Sequence, residues 1–200
     1  KGAMIAHKNV VSLFQATQEY YKFTENDVWA LFHSYAFDFS VWEIWGALFN
    51  GGCLVVVPYL VTRDTDAFYQ LVNREGVTVL NQTPSAFQQF ILTDQRSDRR
   101  VSSLRYVIFG GEALHVRELN PWWEKYGDKA PRLINMYGIT ETTVHVTYNA
   151  LDKECLDADS LGSFIGKKLS HLKAYILDKD LNLVPIGVPG ELHIGGEGLS

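Results

Sequence analysis

Cysteine, basic charge and long apolar runs are all scarce in this sequence, and each scarcity excludes something. Two cysteines, Cys53 and Cys155, occur in 200 residues. That is too few for a disulfide-stapled secreted domain and suits a reducing compartment, so a cytoplasmic location is expected. Eighteen Lys+Arg against 23 Asp+Glu leave a net charge of −5. With no basic stripe to follow a phosphate backbone, nucleic acid is not an expected partner. The apolar run Leu54 to Val57, closed by Pro58, falls far short of the ~20 residues of a bilayer span, so no membrane partner is expected. The six histidines (7, 33, 115, 145, 171, 193) contain no i,i+3 or i,i+4 pair, which argues against structural zinc. There is also no Gly-x-Ser-x-Gly elbow and no Gly-x-Gly-x-x-Gly turn, so a serine hydrolase or a nicotinamide dehydrogenase loses its expected mark.

What is present is a well-supplied core: 46% hydrophobic and 13% aromatic residues. A chain of this size buries roughly 70% of its extended surface without needing a staple. Periodicity gives an alternation of helix and strand. Val10, Val11, Phe14 and Tyr21 share a helical face, which predicts a helix over about 8–22. Asp27 to Tyr35 reads as a strand and Val41 to Phe49 as a helix stopped by Asn50-Gly51-Gly52. The β-branched run from Cys53 to Val57 predicts a strand buried on both faces. Then come a helix at about 64–75, a strand at 77–81, a helix from Ser85, and a strand from Leu104 to Phe109. A helix from His115 to Tyr126, with Pro121 as a kink, precedes a strand from Arg132 to Met136.

This order predicts an α/β fold, parallel sheets flanked by helices on both faces. After Thr147, short β segments (Ala174 to Leu177, Glu191 to Ile194) separated by Gly and Pro predict a β-rich, partial-barrel continuation. The expected division is therefore 1–147 for the α/β core and 148–200 for the β-rich continuation of the same domain. Asp178-Lys-Asp180-Leu-Asn182 opens like a calcium loop but lacks the required glycine and glutamate, and reads as a polar turn. Asn81-Gln82-Thr83 is a glycosylation sequon by letter, but it ends a strand expected to be buried.

Ligands of open α/β sheets sit outside the carboxyl ends of the strands. The loops there are Ala36 to Ser40, Asn81 to Ser85, Gly110 to Leu114 and Tyr137 to Thr143, all polar or glycine-bearing. The last, within Asn135-Met-Tyr-Gly-Ile-Thr-Glu-Thr-Thr143, crowds hydroxyls and a carboxylate behind an aromatic ring. Hydroxyls and backbone N–H groups can bind phosphate oxygens, and a carboxylate beside them can hold Mg²⁺ bridged by those phosphates. A Thr-rich turn capping a helix is the alternative.

Tyr137-Gly-Ile-Thr-Glu141 resembles the Tyr-Gly-Pro-Thr-Glu box of the adenylate-forming superfamily. Ala36-Phe-Asp-Phe-Ser-Val-Trp-Glu43 is similar to the Phe-Asp-x-Ser box of amino-acid-activating adenylation domains in nonribosomal peptide synthetases, and Gly190-Glu-Leu-His-Ile-Gly-Gly-Glu-Gly198 to their Gly-Glu-Leu-x-Ile-x-Gly box. Lys1-Gly2 matches the end of the family's phosphate loop, and Gly110-Gly-Glu-Ala-Leu114 the loop beside adenine. The five boxes stand in the family's order across essentially the whole chain. Ile139 for Pro, and Phe164 for Pro in Ser-Phe-Ile-Gly, are departures.

The resemblance implies part of the large N-terminal domain of such an enzyme. It implies ATP and Mg²⁺ as cofactors, an amino acid as substrate, and a neighbouring carrier (thiolation) domain whose phosphopantetheine thiol takes the acyl group, as in antibiotic biosynthesis and other secondary metabolism. Tyr137 would stack on adenine beside Gly111 and Glu112; Asn135 would bond the base, Thr140 the phosphate region, and Glu141 the Mg²⁺. His33 matches a family aromatic near the substrate carboxylate, with a packed strand histidine as the alternative. Asp38 would meet the α-ammonium, since a carboxylate in an apolar pocket is costly without a cation. Its alternative is an N-cap for the 41–49 helix, where Ser40 is the better cap.

The family's pocket walls fall on Asp38, Phe39, Trp42, Asn81, Ile108, Gly110, Met136, Val144 and His145, a set resembling threonine-activating domains. Asn81 and His145 would bond the β-hydroxyl; the alternative is that they bond each other or the backbone. The boxes cut at both ends lead us to expect an internal segment, inactive or nearly so alone. An acyl- or aryl-acid:CoA ligase of the same superfamily and a non-catalytic nucleotide-binding module are the rival readings.

Overall fold

A computed structural model describes residues 2–158 and 162–200; Lys1, assigned above to the phosphate loop, lies outside them. The chain forms α1 (His7–Thr17), β1 (Val28–Leu31), α2 (Phe39–Phe49), β2 (Cys53–Val56), α3 (Tyr59–Thr62), α4 (Thr65–Arg74), β3 (Val79–Gln82) and α5 (Pro84–Arg96). These are followed by β4 (Tyr106–Phe109), α6 (Asn120–Tyr126), β5 (Arg132–Tyr137), β6 (Thr147–Leu151), α7 (Cys155–Ala158), β7 (Lys167–Lys168), β8 (Leu172–Leu177) and β9 (Glu191–Gly196).

Seven strands make one sheet in the order β2-β1-β3-β4-β5-β6-β7. The first five are mutually parallel; β6 runs antiparallel to β5, and β7 antiparallel to β6. All four residues of β3 and of β4 are buried, as expected of central parallel strands covered on both faces. The pleat sends Leu80, Val107, Phe109 and Leu133 into a core with α4, α5 and α6, where Phe87, Phe90 and Trp122 are fully buried. It sends Val79, Ile108, Ile134 and Met136 into a second core under α1 and α2, built on Leu13, Phe14, Trp29 and Trp42. Two layers of helix on a mostly parallel sheet is the architecture that the alternation predicts.

Several details depart from the periodicity. Helix α1 stops at Thr17, whose hydroxyl turns back onto the Leu13 and Phe14 carbonyls. Tyr21 reaches the core from the following turn, and Val11 is exposed. The strand expected over Asp27 to Tyr35 is only Val28–Leu31, so His33 lies in the bend after it. β2 is not buried on both faces: it is the outermost strand, with Cys53 and Val56 exposed. Pro121 kinks nothing; it sits in the first turn of α6, where its missing N–H has no bond to lose, and a 3₁₀ turn (Val116–Leu119) precedes it. Past Thr147 the chain stays in the large sheet through β6 and β7, and only β8 and β9 form a separate hairpin. Asp178 organises the polar turn, accepting the Asp180 and Asn182 backbone N–H groups at 2.9 Å. No described helix is long and apolar enough to cross a membrane.

Candidate functional site

Two neighbouring pockets open at the carboxyl ends of the parallel strands, between the segments that follow β1, β4 and β5. One, of about 270 Å³, is lined by Phe37, Asp38 and Phe39 from the β1–α2 loop, by Gly110 and Gly111 after β4, and by Met136 and the 138–145 turn. The other, of about 370 Å³, is lined by Gly111, Glu112, Ala113, Asn135, Tyr137, Ser163 and Ile165. Gly111, Met136, Gly138 and Ile139 line both, so the pockets share a wall.

Sheet register explains the first pocket's floor. Asn81 pairs with Ile108, and Ile108 with Ile134. Side chains two apart on a strand share a face, so Asn81, Ile108 and Met136 point toward α2 together. Six of the nine predicted wall residues line the pocket: Asp38, Phe39, Gly110, Met136, Val144 and His145. Trp42, Asn81 and Ile108 lie behind them, each 0% exposed.

The polar groups of this floor are incompletely satisfied. Trp42 Nε1–H donates to Asn81 Oδ1 at 3.1 Å, which fixes the amide and leaves its Nδ2 as the remaining donor. That Nδ2 is buried without a partner among the described residues, as is His145 Nε2. His145 packs edge-on against Phe39 and Trp42, and burial drives its pKa down to about 3. It is therefore neutral at ordinary pH, with one ring nitrogen able to accept. Buried polar atoms usually have partners, so these two atoms keep hydrogen-bonding capacity for a ligand. Asn81 and His145 do not bond each other among the described contacts.

Asp38 occupies the N-cap position of α2, yet its side chain makes no capping bond, and Ser40 lies buried inside the helix. Neither residue caps. Instead Asp38 Oδ2 accepts the Thr140 hydroxyl at 2.9 Å, joining the β1–α2 loop to the turn after β5. That turn is tightly folded: Thr143 and Val144 have φ of 60° and 67°. A β-branched residue in this region is an outlier costing about 1–3 kcal/mol, held in place by its surroundings. Gly138 is required by the same fold, since a Cβ there would collide with the Val144 carbonyl.

In the second pocket Tyr137 is 41% exposed, and Gly111 has a φ of 82°, in the left-handed region that favours glycine. Asn135 is buried and its Nδ2 donates to the Phe164 carbonyl at 2.8 Å, tying the Ser163–Ile165 stretch to β5. Glu112 accepts from the Ser85 backbone N–H and hydroxyl at 3.0 and 2.9 Å. Glu141 is exposed at the rim, and its carboxylate has no partner among the described residues. An exposed carboxylate oxygen is a suitable donor for Mg²⁺, which keeps most of its shell for water and phosphate.

Sequence reasoning placed Phe37, Ala113, Gly138 and Ile139 inside the loops it singled out but gave them no individual role, and it named Ser163 and Ile165 only as neighbours of Phe164. It also missed Glu43. His33, outside both pockets' linings, stacks on Phe39 at 4.7 Å and bonds Glu43 through Nδ1 at 2.8 Å.

The chain matches the family model for "AMP-binding enzyme" over residues 1–200. It is 53% identical over 202 residues to a dimodular nonribosomal peptide synthase of Bacillus subtilis (strain 168), covering all of this chain and 8% of that protein. It is 46% identical over 200 residues to syringomycin synthase SyrB1 of Pseudomonas syringae pv. syringae, covering 32% of it. The AMPPNP-bound crystal structure of a nonribosomal peptide synthetase, FmoA3, superposes with a TM-score of 0.92 at 25% identity, over all of this chain and 21% of that one. The chain thus spans between 8% and 32% of these relatives.

Proposed function

This chain belongs to the family of AMP-binding enzymes, and from that premise we propose that residues 1–200 carry the substrate pockets of an adenylation domain in a cytoplasmic nonribosomal peptide synthetase. The reaction is ATP-dependent activation of an amino acid, most favourably L-threonine. Its carboxylate attacks the α-phosphate, an aminoacyl adenylate forms and pyrophosphate leaves. A phosphopantetheine thiol on a carrier domain then takes the acyl group, releasing AMP.

The observation that carries this reading is the pair of pockets sharing one wall, with Asp38 and the unpartnered Asn81 and His145 atoms on one side and Tyr137 on the other. Tyr137 gives adenine a stacking face, and Thr140 and Glu141 stand where phosphates and their Mg²⁺ would lie. Glu141 would hold Mg²⁺, which would supply charge neutralisation on the phosphates. Asp38 meets the ammonium, taking it in place of, or beside, the Thr140 hydroxyl. A threonine hydroxyl accepts from Asn81 Nδ2 and donates to a neutral His145 nitrogen. Valine has the same shape without the hydroxyl and would leave both atoms stranded, a situation that can discriminate by about 10⁴–10⁵. The protein's contribution is positioning and charge stabilisation.

The experiment is amino-acid-dependent ATP–pyrophosphate exchange by the complete protein containing residues 1–200, across all proteinogenic amino acids. Exchange strongest with threonine, and far weaker with valine and serine, is expected. A maximum with another amino acid retains the enzyme and removes the roles of Asn81 and His145. Exchange with none returns the chain to an acyl-acid:CoA ligase or a nucleotide-binding module.

A further inference from the structure

Tyr21 follows α1 and is 3% exposed. Four other rings box it in: it stacks on Phe23 at 4.7 Å, meets Tyr106 and Tyr148 edge-on at 5.3 and 5.6 Å, and tilts against Trp42 at 5.8 Å. Packed this closely, the ring keeps one orientation and its hydroxyl one place. That hydroxyl donates to Met136 Sδ at 3.2 Å, its one hydrogen bond among the described residues. Burial pushes the phenol's pKa well above its ordinary value, so it stays a neutral donor. A thioether is a weak acceptor, and burying a hydroxyl costs free energy that a phenylalanine in the same place would not. The aromatic packing therefore does not explain the hydroxyl. What it adds is a hold on Met136.

Met136 lines the pocket that holds Asp38 and shares its strand face with Ile108 and Asn81. Methionine is unbranched, with three rotatable bonds, so a wall made of it yields to side chains of different length unless something fixes it. We propose that Tyr21 is a positioning residue that sets specificity: by holding Met136 Sδ it fixes the depth of the amino-acid pocket and disfavours side chains one carbon longer. The inference rests on the amino-acid-activating reading above. Without the hydroxyl, the thioether is free to swing toward the ring of residue 21, and the pocket gains room for about one methylene. The two residues stand 115 apart in the chain, so the control is exerted from outside the pocket lining.

The test is pyrophosphate exchange by the complete protein containing residues 1–200, with threonine and with β-hydroxynorvaline, which is threonine lengthened by one methylene. If the enzyme prefers another amino acid, the pair is that one and its homologue longer by one carbon. The ratio of the two kcat/KM values is the same whatever fraction of the enzyme is folded, so a merely structural role does not move it. Tyr21→Phe is expected to lower the preference for the shorter substrate roughly 3- to 10-fold, the scale of one neutral hydrogen bond, with KM for ATP unchanged. Met136→Leu nearly keeps the volume of the wall and removes the sulfur. In that background Tyr21→Phe should change the ratio by less than about twofold. An unchanged or raised preference in Tyr21→Phe, or an equal fall without the sulfur, overturns the inference. If either variant gives no exchange, ¹³C-methyl NMR of the wild type decides. The Met136 methyl should be as rigid in the empty pocket as with the amino acid bound, and a mobile methyl overturns the inference. No exchange by the wild type with any amino acid overturns the activation reading instead, and this inference with it.

Discussion

The two adjoining pockets are built by opposite means. The one that would take the amino acid rests on side chains sealed between the sheet and α2: Trp42, Asn81 and Ile108 are 0% exposed. The one that would take the nucleotide is made of an exposed ring, loop glycines and polar groups that are exposed or already bonded within the chain, Glu112 to Ser85 and Asn135 to the Phe164 carbonyl. Tyr137, Glu112 and Glu141 all face solvent. Discriminating among side chains that differ by one hydroxyl requires polar groups that are costly to leave unpaired, and only burial makes them so. A nucleotide offers a large flat base and several charged oxygens, so exposed stacking and hydrogen-bonding groups suffice.

Substitutions should separate the two halves. Asp38→Ala should lower kcat/KM for the amino acid by about 100- to 1,000-fold, the scale of stranding one partner of a desolvated ion pair. Its Tm should fall by only about 2–4 °C, since Asp38 gives up one hydroxyl bond and no helix cap. Exchange kinetics and a melting curve check both. Asn81→Leu should cut the threonine-over-valine ratio by about 100-fold, because the apolar replacement no longer penalises valine; kinetics with the two amino acids read it. Tyr137→Ala should raise KM for ATP by about 10- to 100-fold, the value of one base–aromatic stack, and leave amino-acid preference unchanged. A shift in preference would erase the division between the pockets.

The smallest effect is on stability. His145 has a folded pKa of about 3 against 6.5, so below pH 6.5 the unfolded chain binds a proton that the folded chain refuses. Stability is therefore present above pH 6.5 and lost as pH falls toward 3, at up to about 1.4 kcal/mol per pH unit. Glu43, raised by burial, acts in the opposite direction. The difference between wild type and His145→Gln in urea melts at pH 6.5 and 5.5 isolates the histidine. A pH-independent difference would mean that His145 is not sealed.

Much of the site was legible because its parts lie in short contiguous boxes at strand ends. Asp38, Gly110, Gly111, Tyr137, Thr140 and Glu141 follow apolar strands in a chain whose alternation places all of those ends on one side. The misses have physical causes. β2 has the composition of a central strand, but exposure depends on which strands flank it, and the order β2-β1-β3 puts it outermost. Pro121 breaks a helix or starts one depending on where the helix begins, which the pattern does not give. β6 reads as polar because one of its faces is only half covered. Glu43 had a faint mark: it stands one helical turn after Phe39, a lone carboxylate among apolar residues, and so shares the buried face.

The sequence by itself determined the family, the α/β alternation and the residues in each box, since these depend on local periodicity and on residue types at fixed spacings. Only the tertiary structure decided which polar atoms are satisfied. Trp42 holds Asn81 from 39 residues away, Asp38 takes the Thr140 hydroxyl across 102, and Asn135 is tied to the Phe164 carbonyl. Strand register and helix packing set those partnerships, and neither is a property of a residue's neighbours in the chain.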